Sequence, residues 1–164
     1  MDRNTLTQSE IQEKIHYNPE TGIVTWKKTS RPDLVGKRAG VIGVRGYRVL
    51  DIRGVKWMEH RLIFLWMTGA IPKYVDHINR KKSDNRWCNL RETTKSQNGA
   101  NMVERNRYGV KGVYRIKSKY NERFAVSIKV NYKKIYLGSF DTLKEAKAAY
   151  EKAAIYYWGE YSKT

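Results

Sequence analysis

Between Glu122 and Val130 the chain alternates with period two. Phe124, Val126, Ile128 and Val130 fall on one side, and Arg123, Ala125, Ser127 and Lys129 on the other. Extended backbone sends successive side chains to opposite faces, so this segment is restricted to a strand with one apolar and one polar side. Its neighbours complete a unit. Gly112 to Lys117 reads as a strand before it, and Lys133 to Phe140 as a strand after a turn at Asn131. Thr142 and Glu145 have the spacing of a capping box, and Leu143, Ala146, Tyr150, Ala153 and Tyr157 then form a stripe at helical spacing. The pattern predicts a three-stranded antiparallel sheet packed on one helix, its other face carrying cations and small residues.

The preceding residues are more varied. Thr7 and Glu10 make a second capping box, with Leu6 and Ile11 placed as a hydrophobic staple, and the helix they start is expected to end near Tyr17. Asn18-Pro19 and Thr21-Gly22 are turn chemistry, and Gly22 to Trp26 reads as a strand. Gly46 to Trp57 reads as a hairpin turning at Arg53-Gly54. Glu59 to Met67 is helical, with Leu62, Leu65 and Trp66 on one face and Gly69 and Pro72 ending it. Tyr74 to Ile78 fits one strand, Asn79 to Asn89 is polar loop, and Thr94 to Met102 is helix-compatible with Ser96 as a candidate cap. The class is α+β. The polar, weakly patterned stretch from Gly99 to Gly109 marks a boundary between domains at 1–103 and 108–164.

Charge narrows the partners. Lys plus Arg number 33 against 16 Asp plus Glu, a formal net charge of +17. Such an excess repels itself unless a polyanion is present, which points to nucleic acid. Residues 1–106 carry 20 basic and 11 acidic side chains, and residues 107–164 carry 13 and 5, so both halves can touch it. A structural RNA binder of the ribosomal kind shares this composition. No run of about 18 apolar residues exists to span a bilayer, and no long basic amphipathic helix suits a membrane surface. Met1-Asp2-Arg3-Asn4 leads into a polar helix rather than a signal peptide. The single cysteine, Cys88, implies no intrachain disulfide and a reducing compartment. One Cys and three His do not suit a four-ligand structural zinc site.

Chemistry concentrates in Val75-Asp76-His77-Ile78-Asn79, Asn85, Asn89-Leu90-Arg91 and Asn98. Cleaving a phosphodiester needs a base to activate water and a cation to neutralise charge on the phosphate, both held in place. His77 is the natural base, its ordinary pKa lying near neutrality. Asp76 and Asn98 offer hard oxygen ligands suited to magnesium or manganese. Asp76 and His77, adjacent on a strand, point to opposite faces and can serve different roles. Asn89 can bond backbone across the loop and hold His77. The Arg80-Lys81-Lys82 run beside this cluster is placed to contact phosphate. His60 has two readings, an auxiliary group at the site or a structural residue at a helix start. His16 takes no role, and Cys88 is a small loop or core residue.

Asp76-His77-Ile78-Asn79, Asp84-Asn85-Arg86, Asn89-Leu90-Arg91, Thr94 and Gln97-Asn98 together resemble the HNH endonucleases of the phage and intron homing type. His60-Arg61-Leu62, Gly46-Tyr47 and the Pro19-Glu20-Thr21-Gly22 turn resemble the same enzymes, so the likeness covers roughly residues 15–102. It implies a hairpin followed by a helix around one divalent cation, the ββα-metal motif. His77 would be the general base, Asp76 and Asn98 the metal ligands, and Asn89 the central brace. Arg80, Lys81, Lys82 and Arg91 would contact DNA. The last position is Asn98 rather than His, which matches the Asn-bearing branch and argues against a zinc-type site. The implied reaction is attack of water on phosphorus, leaving 5′-phosphate and 3′-hydroxyl ends. Such enzymes are commonly free-standing homing endonucleases encoded by phages and acting in the bacterial cytoplasm.

Gly112-Val113-Tyr114-Arg115, Phe124-Ala125-Val126-Ser127-Ile128, Tyr136-Leu137-Gly138-Ser139-Phe140 and Glu145 to Tyr150 resemble the DNA-binding domain of plant APETALA/ethylene-response-factor proteins over about residues 108–162. The resemblance implies a sheet lying in the major groove, with Arg115, Lys117, Arg123, Lys129, Lys134 and Tyr136 facing DNA. Tyr136 stands where that family has Trp, and Lys129 where it has Arg. Lysine lacks the bidentate fork that reads guanine, so duplex binding follows more directly than base specificity. The sequence therefore predicts an endonuclease acting on double-stranded DNA with Mg2+, or Mn2+ in its place. The alternative is a DNA-binding regulator that kept the fold without the activity, and the intact Asp76, His77 and Asn98 favour the enzyme.

Overall fold

Thr7 caps the first helix, α1 (Gln8–Lys14): its hydroxyl accepts from Glu10 N at 3.3 Å while Glu10 Oε2 accepts from Thr7 N at 3.0 Å. A cap of this kind contributes about 1 kcal/mol. The computed structural model describes residues 6–102, 108–117 and 122–162. These form an α+β chain of four helices and small antiparallel sheets, divided into two compact units, residues 1–93 and 94–164. The division falls ahead of the stretch at 99–109 expected to separate domains; within that stretch, residues 103–107 lie outside the described residues.

In the first unit α1 stops at Lys14, short of the expected Tyr17, and the chain turns directly into strand β1 (Ile15–Asn18). The reason is local. Ile15 and Tyr17 are buried while His16 and Asn18 are exposed, an alternation that only a strand can serve. Asn18 Oδ1 then accepts from Glu20 N and Thr21 N, both at 3.0 Å, and closes the turn into β2 (Ile23–Trp26). A second sheet holds β3 (Val41–Ile42), β4 (Arg48–Ile52) and β5 (Val55–Met58) in that order. The β4–β5 turn has positive φ at Arg53 (60°) and Gly54 (77°), the two-residue hairpin geometry expected there.

Helix α2 (Glu59–Thr68) buries Leu62, Ile63, Phe64 and Leu65, and also Glu59 and His60. It is thus enclosed on more of its surface than a stripe of Leu62, Leu65 and Trp66 would require. A short hairpin follows, β6 (Val75–His77) against β7 (Leu90–Glu92), pairing Asp76 with Arg91 and His77 with Leu90. Ile11, Ile15, Tyr17, Val24, Leu50, Leu62 and Ile63 form the fully buried heart of this unit.

The β1–β2 hairpin grips the loop between β6 and β7. Tyr17 Oη donates to Asn85 O at 2.8 Å, and Trp87 N donates to Pro19 O at 2.9 Å. Burial pushes the Tyr17 phenol up, so it stays a donor. Gly22, at φ 69°, lies so close that a Cβ there would sit 2.4 Å from Arg86 N and 2.6 Å from Asn85 C.

In the second unit α3 (Lys95–Asn101) is capped by Thr94, which exchanges bonds with Gln97. Ser96, the expected cap, lies inside the first turn; its hydroxyl accepts from Trp158 Nε1 at 3.2 Å and Asn131 N at 3.3 Å. Strands β8 (Val113–Lys117), β9 (Glu122–Val130) and β10 (Lys133–Phe140) form one antiparallel sheet with β9 central. Helix α4 (Leu143–Trp158) buries Ala146, Tyr150, Ala154 and Trp158 against Val126 and Ile128. Trp158 ends the stripe in place of Tyr157, which is 39% exposed, because its indole fills the core while its N–H reaches Ser96.

Two substitutions test how the hairpin holds the loop. Gly22→Ala combines a left-handed backbone with a backbone clash and is expected to destabilise the first unit by roughly 2–4 kcal/mol. Tyr17→Phe leaves a buried carbonyl without its donor and is expected to cost about 1–3 kcal/mol. Urea titration of each variant against wild type measures both.

Candidate active site

The loop from His77 to Asn89 is cross-linked from within. Asn89 Oδ1 accepts from Asn79 N at 2.9 Å, and Asn89 Nδ2 donates to Asp84 O at 2.7 Å. Asn79 Nδ2 donates to Asp84 Oδ2 at 2.6 Å, and Asn79 Oδ1 accepts from Lys81 N at 2.8 Å. Asparagine suits these positions because its short amide can bond backbone on both sides of a turn. Arg86 clamps the same Asp84 through Nε at 2.8 Å and Nη2 at 2.7 Å. The Arg86 hydrogen bonds, with help from Asn79, hold the Asp84 carboxyl down at about 2.

This scaffold presents His77, which is 4% exposed. Its Nε2 lies 2.9 Å from Asn85 Oδ1. Asn85 is buried in turn and donates from Nδ2 to Glu59 Oε1 at 2.9 Å. Glu59 is fully buried and takes further bonds from Arg38 Nη2 (3.0 Å, Oε1) and Arg48 Nε (3.1 Å, Oε2). Burial pushes the Glu59 carboxyl up, against the pull of Asn85 and the two guanidinium groups. Burial likewise holds the His77 imidazole below its usual range, against the upward pull of Asn85, Asp76 and Asp84. His77 is therefore neutral at physiological pH, the form in which an imidazole can accept a proton.

A second imidazole stands beside it. The His60 ring is 5.2 Å from that of His77, nearly edge-on, and the Tyr47 ring is 5.2 Å from His60 and 5.8 Å from His77. Lys82 Nζ lies 4.9 Å from the Tyr47 ring centroid and donates to Arg45 O at 3.0 Å. His60 Nδ1 is buried and has no hydrogen-bond partner among the described residues. Burial, reinforced by His77 and Arg61, drives the His60 pKa down to about 3. Of the two readings of His60, the structure adds a place next to His77 and a neutral ring.

Asp76 is 7% exposed and forms a buried ion pair: Arg91 Nε (3.1 Å) and Nη2 (2.9 Å) both donate to its Oδ2. Arg91, expected among the DNA contacts, is thus the counter-ion of Asp76, with an 11% exposed side chain. Register explains this, because Asp76 and Arg91 are direct cross-strand partners. Arg80 is half-buried, Lys81 and Lys82 are exposed, and Cys88 is exposed on a 3-10 turn at Trp87–Asn89. Asn98 lies on α3 in the second unit, half-buried.

As donors for a metal, these residues suit a hard cation. The Asp76 carboxylate is a hard oxygen donor, and Arg91 donates twice to its Oδ2. Among the described residues no group of three or more His, Cys, Asp or Glu could hold a metal ion. A single carboxylate is a donor of the kind that a hard divalent cation takes together with waters and phosphate oxygens.

In the second unit, cross-strand pairing divides the six residues expected to face DNA. Arg123, Lys129, Lys134 and Tyr136 share one sheet face with Tyr114 and Ile116. Arg115 and Lys117 are register partners of Phe124 and Glu122 and so belong to the opposite face, the one that packs on α4. The Arg115 guanidinium sits 2.8 Å from Glu122 Oε1 but is not angled for a hydrogen bond.

Sequence reasoning gave no role to Glu59, Asn85, Arg38, Arg48 or Tyr47. Asn85 lay inside the motif without a function of its own, and Glu59 reads on sequence as an ordinary first-turn acid of a helix. Residues 58–100 match the family model described as HNH endonuclease. That match supports a nuclease enzyme with DNA as substrate. No curated protein and no solved structure matched the chain. Among the described residues no helix is long and apolar enough to cross a membrane.

The His60 shift carries a pH dependence. In the unfolded chain His60 takes up a proton near its ordinary value of 6.5, and in the folded chain only near 3. Between these limits the unfolded state binds more protons, so stability falls as pH is lowered through that window. His60→Phe removes this contribution. Its urea midpoint is expected to fall less than that of wild type between pH 6.5 and pH 4; equal slopes would show that His60 is not held neutral.

Proposed function

We propose that the chain is a metal-dependent DNA endonuclease of the free-standing homing type, in which residues 1–103 cut and residues 108–164 hold the duplex. The observation that carries this reading is His77: a buried, neutral imidazole, next in sequence to a buried carboxylate, on a hairpin within the stretch that matches the HNH family. In the proposed reaction His77 takes the proton from a water as that water attacks phosphorus, leaving 5′-phosphate and 3′-hydroxyl ends. Asp76 would hold a divalent cation, most suitably Mg2+ with Mn2+ as substitute. When bound, the cation supplies charge neutralisation at the phosphate and the leaving oxygen. Asn89 fixes the loop that bears His77, and Arg80, Lys81 and Lys82 lie on that loop, within reach of a phosphate backbone.

The second unit is proposed to bind double-stranded DNA through the face that carries Arg123, Lys129, Lys134 and Tyr136. Its cationic and aromatic side chains support this, as does the resemblance to the APETALA/ethylene-response-factor domain. Tyr114 and Ile116, 41% and 43% exposed, extend the same face and add apolar surface for sugars and bases. Phosphate contacts dominate such affinity and make it fall steeply with salt.

His77→Ala is expected to lower single-turnover cleavage of a labelled duplex by about 10²–10⁴-fold while gel-shift affinity stays near wild type. Near-wild-type cutting would remove His77 from the chemistry. Asp76→Asn keeps an acceptor for Arg91 and removes the charge, and is expected to raise the magnesium concentration needed for cleavage. Combined Lys129→Ala and Lys134→Ala is expected to weaken duplex binding and lower its salt slope by roughly two, about one per lost phosphate contact. A salt titration of binding measures this, and an unchanged slope would place the DNA on another surface.

A further inference from the structure

The hydrogen bonds around Glu59 have a direction. Arg38, Arg48 and Asn85 all donate into its carboxylate. An ionised carboxylate can only accept, so Asn85 must turn its Nδ2 toward Glu59. The carbonyl end of the same amide then faces His77, with Asn85 Oδ1 2.9 Å from His77 Nε2. A carbonyl oxygen also can only accept, so His77 Nε2 must be the donor. The opposite amide orientation would set Oδ1 against the Glu59 carboxylate and lose that contact, although Nδ2–H could then donate to a bare Nε2. The donor and acceptor pattern therefore assigns the amide, and with it the proton on the ring.

The fold holds Asn85 on its other side as well. Tyr17 Oη fixes its carbonyl, and Gly22 lies against its backbone. Asn85 is 1% exposed and Glu59 0% exposed, so water does not compete for either side chain. A neutral histidine whose Nε2 carries the proton keeps its lone pair on Nδ1. Resting on the nuclease reading above, we infer that Glu59 and Asn85 are positioning residues that fix His77 in the Nε2–H tautomer, so that Nδ1 is the basic nitrogen of its ring. They act through His77 and touch no reacting atom.

The direct test needs no mutation. Full-length protein labelled with 15N-histidine, without metal or DNA at neutral pH, gives one-bond and long-range 1H–15N correlations that distinguish the two tautomers. With only three histidines, the set of signals lost in His77→Ala is that of His77. The expected result is Nε2–H for His77; a dominant Nδ1–H form would overturn the inference whether or not the protein cuts DNA. A protein that cuts no DNA but shows Nε2–H would sink the nuclease reading and leave the arrangement standing.

A swap tests the relay in activity. Asn85→Asp sets two carboxylates against each other and is expected to lower kcat on the order of 10²-fold with DNA affinity held. Adding Glu59→Gln restores the pattern: the introduced amide donates to the introduced carboxylate, whose other oxygen accepts from His77 Nε2. Arg38, with a 32% exposed side chain, can turn to solvent. The double variant is expected to recover to within about tenfold of wild type and to show the Nε2–H signature. A folded double variant no better than Asn85→Asp would overturn the relay, and if either variant fails to fold, the wild-type tautomer decides.

Discussion

The first unit is organised around one buried carboxylate. Taking an ion such as Glu59 out of water costs several kcal/mol, and the structure offsets this by bringing two guanidinium groups and an amide to its oxygens. Those partners come from separate places in the chain. Arg38 follows β2, Arg48 opens β4, Glu59 opens α2, and Asn85 lies on the loop between β6 and β7. Satisfying Glu59 therefore requires the sheets, the helix and the loop to be in place together. Removing one partner leaves a buried charge short of a bond, which typically costs about 3–5 kcal/mol. The same set of bonds ends at His77, so packing order and ring orientation are parts of one network.

The loop itself is rigid for a different reason. Asn79, Asp84, Arg86 and Asn89 bond to one another and to backbone, and Tyr17 and Gly22 clasp the segment from the β1–β2 hairpin. A segment rich in Asn, Asp, Arg and Lys would ordinarily be mobile and solvated. Here the polar side chains stand in for the missing strand hydrogen bonds, and two of them, Asn85 and Asn89, are buried. Asp76 illustrates the same economy, its charge matched by Arg91 directly across the hairpin.

What could be read in the sequence follows the range of the interactions. The strand at Glu122–Val130 is set by alternation within nine residues, and its bounds coincide with the pattern. The boxes at Thr7, Thr94 and Thr142 are four-residue signals; Thr7 and Thr142 read as such, whereas at α3 the cap is Thr94 and not the expected Ser96. Strand β1 was hidden because Ile11 and Ile15 have helical spacing, and only burial of Ile15 and Tyr17 against the unit's core selects the extended form. At the site, Asp76, His77 and Asn89 stand out because they form a local motif. Glu59 and Asn85 do not, since they are 26 residues apart and their bond is purely tertiary. Cationic residues show the same limit. Family resemblance marks Arg91 and Arg115 as candidates for DNA, and cross-strand register sets Asp76 opposite the first and the second on the helix-facing side of the sheet.

On the proposed reading, this basic chain uses a divalent cation with His77 to break DNA. Incubating supercoiled plasmid with the purified full-length protein, with Mg2+ in one series and a chelator in the other, tests it most directly. Conversion to nicked or linear DNA is expected with Mg2+, and none with the chelator. Plasmid that is bound but stays supercoiled with Mg2+ and with Mn2+ would contradict it.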